Sequence, residues 1–169
     1  REFGKIRALA KGARRPKGPF ESALDLLALC RIVFLRKSSD SLDLLTEAKL
    51  LRRFRPAGRD LASLYAAYYV AELLGELTER ADPHPELFDA ADRALVELSQ
   101  GRPVAALVLR FQMTALRLLG HSPSLDSCAG CGEAIGKQPR VAFGPIAGGV
   151  LCAKCRAGRK LVVSVSWAV

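Results

Sequence analysis

Four cysteines stand in two tight pairs, Cys128-Ala-Gly-Cys131 and Cys152-Ala-Lys-Cys155, separated by twenty residues. Two residues between thiols let one turn present both sulfurs to a single ion. The C-x2-C-x20-C-x2-C array therefore has the form of a tetrahedral Zn²⁺ site, with sulfurs about 2.3 Å from the metal. Gly130 and Gly132 flank the second thiol and Gly148-Gly149 lead into the third; glycine permits the turns that bring backbone N–H groups to the sulfurs. Two disulfides, or unrelated buried thiols, are the competing readings. A fifth, unpaired cysteine, Cys30, and the lack of a secretory signal count against an oxidised scaffold. Four thiolates close the coordination sphere, so such a metal is structural and carries no reaction.

The second chemical feature is charge. The segment from Lys5 to Lys17 holds six cations, Lys5, Arg7, Lys11, Arg14, Arg15 and Lys17, and no acid. Such density is self-repelling unless a polyanion neutralises it, and on a strand and turn these residues would line a groove that tracks a phosphate backbone. A solvated basic edge strand, which guards against edge-to-edge aggregation, is the plainer alternative. Phe3 and Phe20 are the nearby candidates for base stacking. The net charge is +9, but its distribution is uneven. Residues 1–60 carry fifteen Lys/Arg against seven Asp/Glu, residues 61–125 five against eight, and residues 126–169 six against two. Two basic ends flank a mildly acidic middle.

Other candidates are weaker. His84 and His121 read as cap or loop residues, and Cys30 as a small core hydrophobe. Arg110 and Arg117 satisfy a helix surface or an internal acid, or else rim an apolar groove and hold a carboxylate. Tyr65, Tyr68 and Tyr69 are core; the minority reading is a groove for a partner's short peptide. Phosphate-loop, zinc-protease and serine-hydrolase signatures are absent, so no enzyme is indicated. No apolar run approaches the eighteen or so residues needed to cross a bilayer, and a soluble protein is expected.

The elements that must position these residues follow from periodicity. Residues 3–13 alternate, with Ile6, Ala8 and Ala10 on one face and Lys5, Arg7, Leu9 and Lys11 on the other, as in a half-buried strand. A turn-rich segment, Gly12 to Gly18, follows. Leu26–Lys37 is a second strand, Ser38–Asp40 a hairpin turn, and Ser41–Arg55 a third strand or a pair of short ones. These fit a small antiparallel barrel or sheet. Asp60–Glu79 is apolar almost all round and predicts a deeply buried helix. A second helix starts at Pro85, capped by His84, with Leu87, Ala91, Ala94, Leu95 and Leu98 on one stripe. After Gly101-Arg-Pro103 a third runs to Leu119, and the three form a bundle. Gly120–Ser127 leads to the cysteine segment. Arg1 is not a methionine and both ends read as cut, so the chain is expected to be part of a longer protein.

Four motifs in order carry a resemblance: G-K-I-R-A-L-A-K-G-A-R-R-P, P-x-P-E-L-F (83–88), R-F-Q-M-T-A-L-R-L-L-G-H-S-P (110–123) and C-A-G-C-G…G-G-V-L-C-A-K-C. Over about residues 3–157 the chain resembles the RecO family of bacterial DNA-repair mediators of the RecF pathway. The resemblance implies an α+β protein: a partial N-terminal OB-fold β-barrel over 1–56, an α-helical bundle over 57–125, and an embedded four-cysteine zinc finger over 126–157. Residues 158–169 then read as an atypical tail. It also implies binding of single- and double-stranded DNA, strand annealing, and, with RecR, loading of RecA onto strands coated by single-stranded-DNA-binding protein (SSB). The acidic, apolar C-terminal tail of SSB is a further implied partner, and a cytoplasmic, nucleoid-associated location is implied. A zinc-ribbon module of transcription or translation would explain the charge and the cysteines but not the helical motifs.

Overall fold

The first strand, β1 (Ala8–Ala10), is short, and its burial alternates as its sequence does: Ile6, Ala8 and Ala10 are half-buried while Lys5, Arg7, Leu9 and Lys11 are exposed. The computed structural model describes residues 1–13, 18, 20, 23–37 and 41–167. The expected Ser38–Asp40 turn, most of the Gly12–Gly18 segment and three candidate cations, Arg14, Arg15 and Lys17, lie outside these. The chain divides into two units, Arg1–Ala115 and Leu116–Val169. The N-terminal strands and most of the helical segment after them thus share one unit.

In the first unit β2 (Ala28–Leu35) and β3 (Asp43–Arg53) pair antiparallel, and β3 is one continuous strand. β1 pairs parallel to β3, giving the order β1-β3-β2. The expectation of a wholly antiparallel sheet is therefore corrected. The long connection between β1 and β2 lets β1 cross to the far side of β3, which a tight hairpin could not do. Among the described residues the sheet is open, and no ring of strands closes.

Two register shifts decide which face each β3 residue takes. Pairing passes from Phe34↔Leu45 to Val33↔Glu47, skipping Thr46, and from Cys30↔Leu50 to Leu29↔Arg52, skipping Leu51. Thr46 Oγ1 donates to the Val33 carbonyl at 3.0 Å, which ties down the first bulge. Leu45 and Ala48 thereby join Phe20 and Ala23 in one buried cluster, with Ala8, Ala10, Cys30, Phe34 and Leu50 packed against it. Cys30 is a core residue as expected. Its Sγ contacts the Ala23 carbonyl at 3.1 Å, and burial pushes its thiol pKa up.

Three helices follow: α1 (Leu61–Glu76), α2 (Pro85–Ser99) and α3 (Val104–Leu118). Asp60 caps α1 by accepting from the Ala62 and Ser63 N–H groups at 3.0 and 3.1 Å and from Ser63 Oγ at 2.6 Å. His84 stands at the N-cap of α2 with Pro85 in the first turn, but its ring makes no cap bond; Nε2 instead meets Asp82 Oδ2 at 3.0 Å. The α2 stripe holds, with Leu87, Ala91, Ala94 and Leu98 buried. Deep burial of α1 all round does not. Ser63, Ala66, Ala67 and Val70 face inward, while Tyr65, Tyr68 and Tyr69 are 66%, 40% and 39% exposed. Ala66 and Ala67 share a cluster with Leu98 and Leu107. Small side chains let the helix approach closely, and the bulkier tyrosines are turned outward. Tyr69 accepts from Gln112 Nε2 at 2.6 Å.

The second unit holds β4 (Arg140–Gly144), β5 (Gly149–Leu151), the single turn α4 (Ala153–Arg156) and β6 (Val163–Ser166). Its sheet has the order β5-β4-β6, with both pairings antiparallel. β5 is wholly buried and β6 wholly exposed. Residues expected to form a stray tail thus supply a sheet strand.

Candidate nucleic-acid interface and metal centre

In the second unit the two cysteine pairs converge. The Sγ atoms of Cys128, Cys131, Cys152 and Cys155 all lie within 4.8 Å of one another, and those of Cys131 and Cys152 are 3.9 Å apart. A tetrahedron of thiolates with bonds of about 2.3 Å has edges of about 3.8 Å, so the four residues fit a single metal ion. All five cysteines are free, which sets the disulfide reading aside. Backbone donors reach the sulfurs as the glycine pattern suggested: Cys152 N and Gly130 N approach Cys128 Sγ at 3.3 and 3.4 Å, and Cys155 N approaches Cys152 Sγ at 3.4 Å. Gly132 and Gly148 take φ of 76° and 74°. A Cβ on Gly149 would lie 2.3 Å from the Ser124 carbonyl oxygen, so the strand before the third thiol tolerates no side chain there.

The thiols differ in how their surroundings bias them. N–H donation from Cys152 and Gly130 holds the Cys128 pKa down to about 6, whereas the neighbouring thiols of Cys152 and Cys131 push Cys155 up to about 12. Four anionic sulfurs this close need a cation among them. The arrangement can hold a metal and has no open position for a substrate.

In the first unit the basic segment is only part of the surface. Arg7 and Lys11 are exposed on β1 and its continuation. Lys5 donates from Nζ to the Gly75 carbonyl, in the last turn of α1, at 2.6 Å, and its backbone bridges to Arg80. That bridge depends on close approach: a Cβ on Gly4 would sit 2.5 Å from the backbone N and O of Asp82. Ala81 takes the left-handed φ of 57° as the chain turns.

Lys5, Arg36, Lys37 and Arg80 line one open cleft of about 480 Å³, together with Ile6, Ser41, Asp43 and Ala81. Asp43 is the lone acid of this lining and is committed elsewhere. It is 8% exposed and accepts from the Lys37 backbone N–H at 3.0 Å. The Arg36 guanidinium lies 5.9 Å from the Phe3 ring centre, and Phe3 packs edge-on against Phe34 at 5.3 Å. Phe3 is therefore engaged within the fold, and Phe20 is 4% exposed in the core. Of the two candidate stacking rings, Phe20 is buried, whereas Phe3 stays 53% exposed beside Arg36.

On the outer face of the sheet Arg31 stands directly across from Lys49, and both are exposed. Facing like charges destabilise a strand pair. Neither Arg31 and Lys49 nor the cleft residues Arg36, Lys37 and Arg80 were singled out from the sequence. Adjacent cations at a strand end could have flagged Arg36 and Lys37; Arg80 and the facing pair emerge only with pairing.

The remaining candidates resolve plainly. Arg110 pairs with Glu97, whose carboxyl is held below its ordinary range by that hydrogen bond. Arg117 is exposed. An apolar cavity of this unit, about 640 Å³, is lined by Leu27, Phe54, Val70, Leu74, Phe88 and Leu95 among others. Its rim carries Arg52 and Arg53, with Arg52 ion-paired to Asp92. Arg110 is not part of it.

A sheet-and-helix unit with a basic cleft, followed by a four-cysteine segment that can hold a metal, defines an α+β protein with a candidate metal centre. The comparisons make it specific. Residues 1–54 match the family model for Recombination protein O N terminal, and residues 58–169 that for Recombination protein O C terminal. The DNA repair protein RecO of Rhodopirellula baltica is 48% identical over 168 residues, covering 99% of this chain and 62% of the relative. That of Anaeromyxobacter sp. (strain K) is 38% identical over 157 residues, covering 93% and 61%. That of Moorella thermoacetica is 34% identical over 167 residues, covering 97% and 61%. The chain belongs to the RecO family and spans about three fifths of the length of these curated relatives. The match runs to residue 169, so residues 158–169, expected to fall outside the family, lie within it.

Proposed function

We propose that the chain acts in DNA repair and recombination as a mediator that binds single- and double-stranded DNA and promotes annealing, with no catalytic step. The observation that carries this reading is the convergence of Lys5, Arg36, Lys37 and Arg80 on one cleft whose acid is already engaged. Phosphates of two strands repel; cations on a fixed surface screen them and let complementary bases meet, so base pairing supplies all the specificity. Arg7 and Lys11 extend that surface, and the candidate residues Arg14, Arg15 and Lys17 continue it in sequence. The open three-stranded sheet is consistent with part of an OB-fold.

The metal is Zn²⁺, chosen by four soft thiolates in a closed tetrahedron, and its part is to hold the second unit folded. In the whole protein, RecR and the SSB tail are the partners, and RecA loading is the outcome. The apolar cavity rimmed by Arg52 suits an acidic, apolar tail, whose carboxylate would compete with Asp92. No helix among the described residues is long and apolar enough to cross a membrane.

Fluorescence annealing of complementary oligonucleotides, with ATP omitted, tests the reading. The protein should accelerate annealing, and Arg36→Ala with Lys37→Ala and Arg80→Ala should remove most of the effect. A chain that binds neither strand, or binds without accelerating their meeting, would sink it.

A further inference from the structure

The second unit is as basic as the first, and nothing in the proposed function uses its charge. It holds Arg117, Lys137, Arg140, Lys154, Arg156, Arg159 and Lys160 against Asp126 and Glu133. Every ion pair found among the described residues lies in the first unit. Arg140 is engaged, donating to the Ser164 side chain and carbonyl at 3.0 and 2.9 Å. Arg117 and Lys137 stand apart in the sequence, whereas Lys154, Arg156, Arg159 and Lys160 are four exposed cations within seven residues that contain no acid.

That stretch is built into the metal centre. Cys152 caps the α4 turn, Cys155 sits inside it, and the Arg159 N–H closes a further turn onto the Arg156 carbonyl at 3.3 Å. The plainest role for the cations is to offset the thiolates. A divalent ion with four thiolates carries a net charge of about −2, which four cations exceed. Arg159 fits that role: its Nη2 and the Cys155 Sγ lie 3.7 and 3.1 Å from the point where a Cβ on Gly130 would stand. Lys154, Arg156 and Lys160 make no side-chain hydrogen bond or ion pair among the described residues.

We infer that Lys154, Arg156 and Lys160 form a second contact for a nucleic-acid phosphate backbone, held in shape by the metal centre. The inference rests on the DNA-binding reading for the nature of the polyanion, but it assigns a separate surface on a separate unit. Phosphate contact without base readout is its chemistry, since the stretch 153–160 contains no aromatic residue. A chain with two such surfaces can hold two strands at once, which annealing requires.

The test uses the full chain loaded with zinc and fluorescent single-stranded DNA. Lys154→Ala, Arg156→Ala and Lys160→Ala together should keep about one zinc per chain. They should weaken binding roughly tenfold at low salt and reduce the salt slope by about two. The charge-conserving variant (Lys154→Arg, Arg156→Lys, Lys160→Arg) should bind as the parent does. Lysine acetylation footprinting of the unaltered chain should find Lys154 and Lys160 protected by saturating DNA, a readout independent of how the variants fold. Unprotected lysines, or a neutralised chain with unchanged affinity and slope, would overturn the inference. If the Arg36, Lys37 and Arg80 variant also binds normally, the DNA-binding reading itself has failed, and the two failures are told apart.

Discussion

The two units reach similar positive surfaces by opposite means. In residues 1–115 the cations are carried by a sheet and helices with their own apolar clusters, such as Leu45 and Ala48 with Phe20, or Ala66 and Ala67 with Leu98. In residues 116–169 the buried hydrophobics are few, chiefly Val141, Val150 and Leu151, and four cysteines take the place of a core. The difference is one of scale: about fifty residues bury too little apolar surface to hold a loop of like charges still, and a metal held by the four cysteines would supply the missing constraint.

Removing the metal should break the comparison most severely. Chelation, or Cys152→Ala, should unfold the second unit and leave the first intact, because zinc-thiolate sites of this kind are worth on the order of 10 kcal/mol in small domains. Amide hydrogen exchange on the full chain should show protection lost at β4 and β5 and kept at α1 and α2. Protection that survives in both would mean the second unit folds without metal.

A steric probe of the first unit ranks next. Gly4→Ala places a Cβ against the Asp82 backbone and should cost roughly 2–3 kcal/mol, lowering the denaturation midpoint of the first unit alone. Normal stability would show that the β1 end and the Asp82 segment do not meet as described.

Charge is subtler. Arg31→Glu should turn a facing repulsion with Lys49 into an attraction, raising stability by roughly 0.2–1 kcal/mol while weakening DNA binding. Opposite movement of the two readouts is the point; if binding rises with stability, this face does not meet DNA.

The smallest effect lies at the α1 cap. Hydrogen bonds from the Ser63 hydroxyl and from the Ala62 and Ser63 N–H groups hold the Asp60 carboxyl below its ordinary pKa. Its stabilisation is therefore complete above the ordinary carboxylate range and fades as pH falls through the lowered value. Asp60→Ala should lower the midpoint at neutral pH and converge with the parent in acid. An equal deficit at both pH values would show that the carboxylate charge is not what matters.

Much of this was legible beforehand, for reasons that differ by region. The four-cysteine cluster reads from the chain because both thiols of each pair lie on one turn. The alternation of residues 5–11 reads because a strand's faces have period two. The α2 stripe was equally plain. The tyrosines of α1 were misread because a helix apolar on every side does not announce which side its neighbours take; Ala66 and Ala67 won by allowing closer packing.

The sequence by itself determined the four-cysteine cluster, the order of strands and helices as far as α3, the basic ends and the family. Only the tertiary structure decided that Lys5, Arg36, Lys37 and Arg80 share one cleft, that Arg31 faces Lys49, and that Arg159 and Cys155 both approach Gly130. The physical reason is range. Spacing along the chain governs what one turn or one strand presents, whereas a surface built from three segments depends on register and bulges that no local pattern encodes.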